Sequence, residues 1–163
     1  MSGLPHWIVI GVGNPDRGDD GAGPEVMRRL RCMVPGDVVL VEHDGEGAAL
    51  IERFEGAASA FLVDACSSGA QPGTVRRFDV AQTPLPREAL GLSSHGLGLA
   101  EAVELARALG QLPRSCVVYA IEGQSFAVGA PLSPAVAAAI ADVADRLRVE
   151  IIGQREAEHC HHA

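Results

Sequence analysis

Three stretches of the chain bring together side chains able to do chemistry. Gly13-Asn14-Pro15-Asp16-Arg17-Gly18-Asp19-Asp20-Gly21 sets carboxylates in a glycine-rich turn. Val63-Asp64-Ala65-Cys66 puts an aspartate directly behind an apolar run, and Ser93-Ser94-His95-Gly96 puts an imidazole in front of a helical period. Each has a plain structural role available: Asp19 or Asp20 can cap a helix, Asp64 can end a strand, and His95 can sit at a helix start behind a serine cap. Jointly, two carboxylates and one imidazole gathered at one end of a sheet make a divalent-metal site with open coordination positions. Glu42-His43-Asp44-Gly45 follows another apolar run and adds further acid to the same set.

Other chemistries fit the residues less well. Gly11-x-Gly13 follows a strand and precedes a helix, but the dinucleotide fingerprint needs glycine where Asp16 stands. Asp19 and Asp20 would also repel a pyrophosphate at a helix N-terminus, so no nucleotide cofactor is expected. Gly-x-Ser-x-Gly is absent, and Ser67-Ser68-Gly69 reads as a turn. Cys66 lies close to Asp64, and an acidic neighbourhood raises a thiol's pKa and opposes a thiolate nucleophile. Cys32, Cys66, Cys116 and Cys160 are widely spaced with no C-x-x-C, which favours reduced thiols over a disulfide framework. The tail His159-Cys160-His161-His162 is able to hold a soft or borderline metal, but reads first as a mobile end without a dedicated role.

The elements that must position these residues alternate along the chain. Trp7–Gly13 is a short apolar run ending in glycine, the pattern of a buried strand. Pro24–Leu30 reads as a helix with proline in its first turn, Val38–Val41 as a second strand, and Gly47–Phe54 as a short helix. Ala60–Val63 reads as a third strand stopped at Asp64, and Thr74–Phe78 as a strand near an edge. From His95 to Leu109 one long helix is expected, with Leu99, Val103, Ala106 and Leu109 on its buried face. Val117–Ile121 is a further buried strand, opened by Cys116 as a small core residue. Ser133-Pro134 then starts a last helix whose stripe is Val136, Ile140, Val143 and Leu147. Strands separated by helices imply βαβ units: an α/β fold with a mostly parallel sheet and helices on both faces. Ligands of such sheets bind outside the carboxyl ends of the strands, which is where the acidic residues and the histidine fall.

Length and composition bound the rest. The 163 residues fit one domain, 1–163, with a polar tail from about residue 154. Apolar content of 47% is too high for disorder. All 13 basic residues are arginine, set against 21 acidic ones for a net charge of -8, so no basic stripe is available for nucleic acid. No apolar run approaches the roughly 20 residues of a membrane span, and Met1–His6 lacks the regions of a signal peptide. A cytoplasmic monomer that engages neither membrane nor nucleic acid is expected.

Taken in order, Gly11-Val12-Gly13-Asn14, Gly18-Asp19-Asp20-Gly21-Ala22-Gly23-Pro24, Val63-Asp64-Ala65 and Ser94-His95-Gly96-Leu97-Gly98-Leu99 resemble the hydrogenase maturation proteases. Ile121-Glu122-Gly123 and Leu132-Ser133-Pro134 resemble the same family, and the similarity runs from Ile8 to about Ile152. The resemblance implies a three-layer α/β/α sandwich. It implies an endopeptidase that removes a C-terminal extension from the large-subunit precursor of an [NiFe] hydrogenase once nickel is in place, cutting after a basic residue. It also implies three metal-binding positions, which fall on Asp20, Asp64 and His95. The first is commonly glutamate in the family, so Asp20, one methylene shorter, draws the metal nearer the backbone or shares the role with Asp19. A family aspartate important for activity falls on Asp44, where His43-Asp44-Gly45 departs from the commoner Asp-Gly-Gly. Nickel would then come with the substrate, docking on Asp20, Asp64 and His95, while Asp44 or Asp19 serves as base. H-E-x-x-H is absent, so an ordinary zinc peptidase is not implied. Two alternatives stand beside this: a non-catalytic nickel-binding maturation chaperone, and a peptidyl-tRNA hydrolase-like enzyme. The latter shares the Gly11-x-Gly13-Asn14-Pro15 start but carries a histidine soon after that loop, whereas here the next one is His43.

Overall fold

The computed structural model describes residues 6–91 and 98–161. Five strands form one sheet in the order β2-β1-β3-β5-β4, with β1 at His6–Val12, β2 at Val38–His43, β3 at Ala57–Cys66, β4 at Val75–Asp79 and β5 at Ser115–Glu122. The first four of that order are parallel, and β4 closes one edge antiparallel to β5. Helices α1 (Ala22–Leu30), α2 (Gly47–Glu52), α3 (Arg87–Leu90), α4 (Leu99–Ala108) and α5 (Pro134–Cys160) connect and cover the sheet.

The inner strands are apolar at nearly every position, yet the pleat still sorts their side chains two ways. Trp7, Val9, Phe61, Val63, Val117, Tyr119 and Ile121 face α1 and α5. Ile8, Ile10, Ala60, Leu62, Cys116 and Val118 face α2 and α4. The stripe of α5 packs as its spacing requires, with Val136, Ile140, Val143 and Leu147 all buried. The result is the expected three-layer α/β/α arrangement.

Several boundaries differ from expectation for physical reasons. β3 does not stop at Asp64. It runs to Cys66 because β5 continues beside it, pairing Ala65 with Ile121 and Cys66 with Glu122. β2 likewise continues to His43, paired with Val12. Helix α4 starts at Leu99 behind Gly98, so His95 does not open it; His95 itself lies outside the described residues. Leu109 leaves the buried face of that helix as its C-cap and is 58% exposed, because Gly110 (φ 69°) turns the chain away. The polar segment after about residue 154 continues α5 as helix to Cys160.

Because β1, β2, β3 and β5 run the same way, their carboxyl ends share one rim. The chain leaves β1 for β2 on one side and returns to β3 on the other, so a switch point lies between β1 and β3 at that rim.

Candidate active site

Behind β1 the chain makes a tight turn and a short 3-10 helix, Gly18–Gly21, before α1. Gly13 makes the turn possible. Its φ is 141°, and a Cβ there would lie 1.9 Å from the Asp20 carbonyl oxygen. The closed turn aims the Asn14 backbone N–H at the Asp20 carboxylate, which accepts it at 2.9 Å. Gly23 brings the following helix down on the strands: a Cβ there would stand 2.4 Å from Val12 O and 2.7 Å from Val63 O. Asp20 is thereby held over the end of β3.

Asp64 stands on β3 just beyond the residue pairing with Gly11, where β1 leaves the sheet. Burial pushes its carboxyl well above the ordinary carboxylate range, and the neighbouring Asp20 charge pushes it further in the same direction. The structure thus brings Asp20 and Asp64 together at the switch point. Among the described residues no third His, Cys, Asp or Glu joins them in a cluster able to hold a metal ion. Two carboxylates whose charges oppose each other, Asp20 buried and Asp64 half-buried, suit a cation or a shared proton, so the donor set fits a divalent ion.

Asp19 and Asp20, neighbours in sequence, have different jobs. The Asp19 carboxylate accepts the backbone N–H groups of Gln124, Ser125 and Ser133 and the hydroxyl of Ser133, at 2.7–3.0 Å. Burial alone would raise its pKa, but these four donors outweigh burial and leave it below the ordinary value. Asp19 therefore ties the turn to the segment between β5 and α5. Ser133 spends its hydroxyl on Asp19 and makes no side-chain cap on α5. Three of the four donors converge on Oδ2 and one on Oδ1, so the observed role of Asp19 is this structural tie.

Asp44 lies on the other wall of an open cleft of about 730 Å³, lined by Gly13, Asn14 and Pro15 on one side and by Glu42, His43, Asp44 and Gly45 on the other. Its side chain is 83% exposed, and Oδ1 accepts the Glu46 N–H at 3.0 Å. Asp44 thus faces the cleft that also borders the first loop.

A buried cluster beside Asp64 escaped the sequence reading. Glu122, at the end of β5, accepts from the Cys66 thiol, from the Ser68 hydroxyl and from the backbone N–H groups of Ser68 and Gly69. Arg76 donates to Ser68 Oγ at 2.7 Å and stands 3.8 Å from Glu122. Burial and the Glu122 carboxylate push the Cys66 thiol up to about 12, which rules out a thiolate at neutral pH. Ser67-Ser68-Gly69 is therefore a turn moulded around a buried carboxylate. Its signals were a glutamate terminating an otherwise apolar strand and the family-like Ile121-Glu122-Gly123.

Opposed carboxylates at the switch point of a parallel sheet, beside an open polar cleft, define an α/β domain built to act on a ligand at its carboxyl rim. A family model described as hydrogenase maturation protease matches residues 24–149. The hydrogenase expression/formation protein HupM of Azotobacter chroococcum is 28% identical over 153 residues, covering 87% of this chain and 73% of that one. HupD of Thiocapsa roseopersicina is 28% identical over 124 residues, 75% of this chain, which spans 56% of that relative's length. The solved hydrogenase maturating endopeptidase HybD from E. coli superposes with a TM-score of 0.75 at 24% identity, over 93% of both chains. The chain belongs to the hydrogenase maturation proteases.

Proposed function

We propose that this protein removes the C-terminal extension of an [NiFe] hydrogenase large-subunit precursor, and that nickel already seated in that precursor is what it recognises. Family membership supports the reaction. The observation that carries the nickel reading is the convergence of Asp20 and Asp64, whose mutual repulsion a substrate-borne cation relieves. His95, on the segment before α4, is assigned as the third ligand. Nickel docked there supplies a Lewis acid that polarises the scissile carbonyl or activates water.

The chain's own residues do the rest. Asn14 orients Asp20 by its backbone N–H, and Asp19 holds the turn in place from the far side. Asp44, exposed in the cleft, takes a proton from the attacking water. Two carboxylates and one imidazole, without a rigid pair of helix-borne histidines, hold nickel weakly until the substrate's own ligands complete the shell. The metal then acts as a completion signal. No helix among the described residues is long and apolar enough to cross a membrane.

The test is incubation with nickel-loaded precursor followed by mass spectrometry of its C-terminus. A shortened precursor is expected from the native protein and an intact one from His95→Ala. Binding of nickel-loaded precursor without any cleavage would support the chaperone reading instead.

A further inference from the structure

His43 is the last residue of β2, and its side chain is only 7% exposed. The Gly45 backbone N–H donates to its Nδ1 at 2.9 Å. A ring nitrogen that accepts carries no proton, so the hydrogen of the neutral imidazole sits on Nε2. Asp44 Oδ1 lies 3.5 Å from the same Nδ1, too far to compete with the amide. Among the described residues Nε2 has no hydrogen-bond partner, and it is not among the buried polar atoms sealed from solvent. The ring lines the cleft, so this donor is available from there. A donor oriented by its own turn and open to the cleft is poised to give its hydrogen to an acceptor that enters there.

The surroundings narrow what that acceptor is. Glu42, Asp44 and Glu46 line the same cleft, and their field repels carboxylates and phosphates. A neutral acceptor remains, and an extended polypeptide offers one main-chain carbonyl per residue. The cleft is also coupled to the paired carboxylates. His43 O accepts the Gly13 N–H at 2.9 Å, and the next residue, Asn14, holds Asp20.

We propose that His43 donates its Nε2 hydrogen to a main-chain carbonyl of the substrate polypeptide lying in this cleft, and so sets the register in which the scissile bond meets Asp20 and Asp64. The inference rests on the endopeptidase reading above. The contact is made in the bound ground state and kept through the reaction, so its loss raises KM and leaves kcat nearly unchanged.

The test uses His43→Asn and His43→Gln with nickel-loaded hydrogenase large-subunit precursor as probe. Asparagine offers an acceptor near the position of Nδ1, preserving the turn, but has no group where Nε2 stood. Glutamine places an N–H donor near Nε2 and gives up the Nδ1 acceptor. His43→Asn is expected to lose about tenfold in kcat/KM through KM, the effect of one net hydrogen bond. His43→Gln is expected to recover most of it, and thermal melts serve as the fold control for both. Asparagine matching the native protein, or glutamine falling below asparagine, overturns the proposal, the latter by showing that the turn and not the donor matters. If the native protein leaves the precursor intact, the endopeptidase reading fails first, and the role of His43 falls with it.

Discussion

Asp19 and Asp20 differ by which part of the chain reaches them. Asp20 meets Asn14 six residues away, while Asp19 meets Gln124, Ser125 and Ser133, more than a hundred residues on. Two identical side chains in a row carry no local mark of that division, so the sequence left the choice open. The positions of Asp20 and Asp64 at one rim were legible, because Asp20 follows one buried parallel strand and Asp64 lies near the end of another. Asp19→Ala leaves Ser133 and two loop amides without their acceptor. It should cost about 3 kcal/mol in urea unfolding, the scale of hydrogen bonds to a charged group. Asp20→Asn should leave the unfolding midpoint almost unmoved while abolishing cleavage. Equal loss of stability in both would refute the division of labour. The pH dependence has a definite sign. Asp19 is held below its ordinary value of 3.8, so its contribution is complete above that pH and fades as pH falls through the lower folded value. Asp19→Asn should therefore flatten the fall in stability below about pH 4, read from unfolding curves at stepped pH. An unchanged slope would count against the carboxylate as the source.

The order of strands and helices could be read from apolar runs and periods, but their ends could not. β3 gains Asp64, Ala65 and Cys66 because β5 lies alongside, and pairing of that kind joins residues more than fifty positions apart. The beginning of α4 was misplaced because Leu99, Val103 and Ala106 give a period without marking where it starts. The glycines of the first loop were visible as a motif, but their reason is a contact between elements. α1 descends onto β1 and β3 so closely that Gly23 has no room for a side chain. Gly23→Ala should lift the start of α1, costing about 1–3 kcal/mol as overpacking does. It should also lower cleavage, because Asp20 sits three residues before it. A stable Gly23→Ala protein with native cleavage would show that this close approach does not position the site.

At the scale of the whole molecule, two apolar layers clamp the sheet and leave its carboxyl rim open for chemistry. The rim combines opposed carboxylates, Asp20 and Asp64, with a cleft whose walls come from the loops behind β1 and β2. In the proposed reading, His95 and the substrate's own ligands add to the two carboxylates around the nickel. The central claim is therefore that nickel in the precursor licenses the cut. Purified protein should be treated with chelator, desalted, and offered nickel-free and nickel-loaded large-subunit precursor with no free metal in solution. The account predicts that only the nickel-loaded precursor loses its C-terminal extension, at the same rate as before chelation. Equal cleavage of both precursors, or loss of activity after chelation of the enzyme alone, would contradict it.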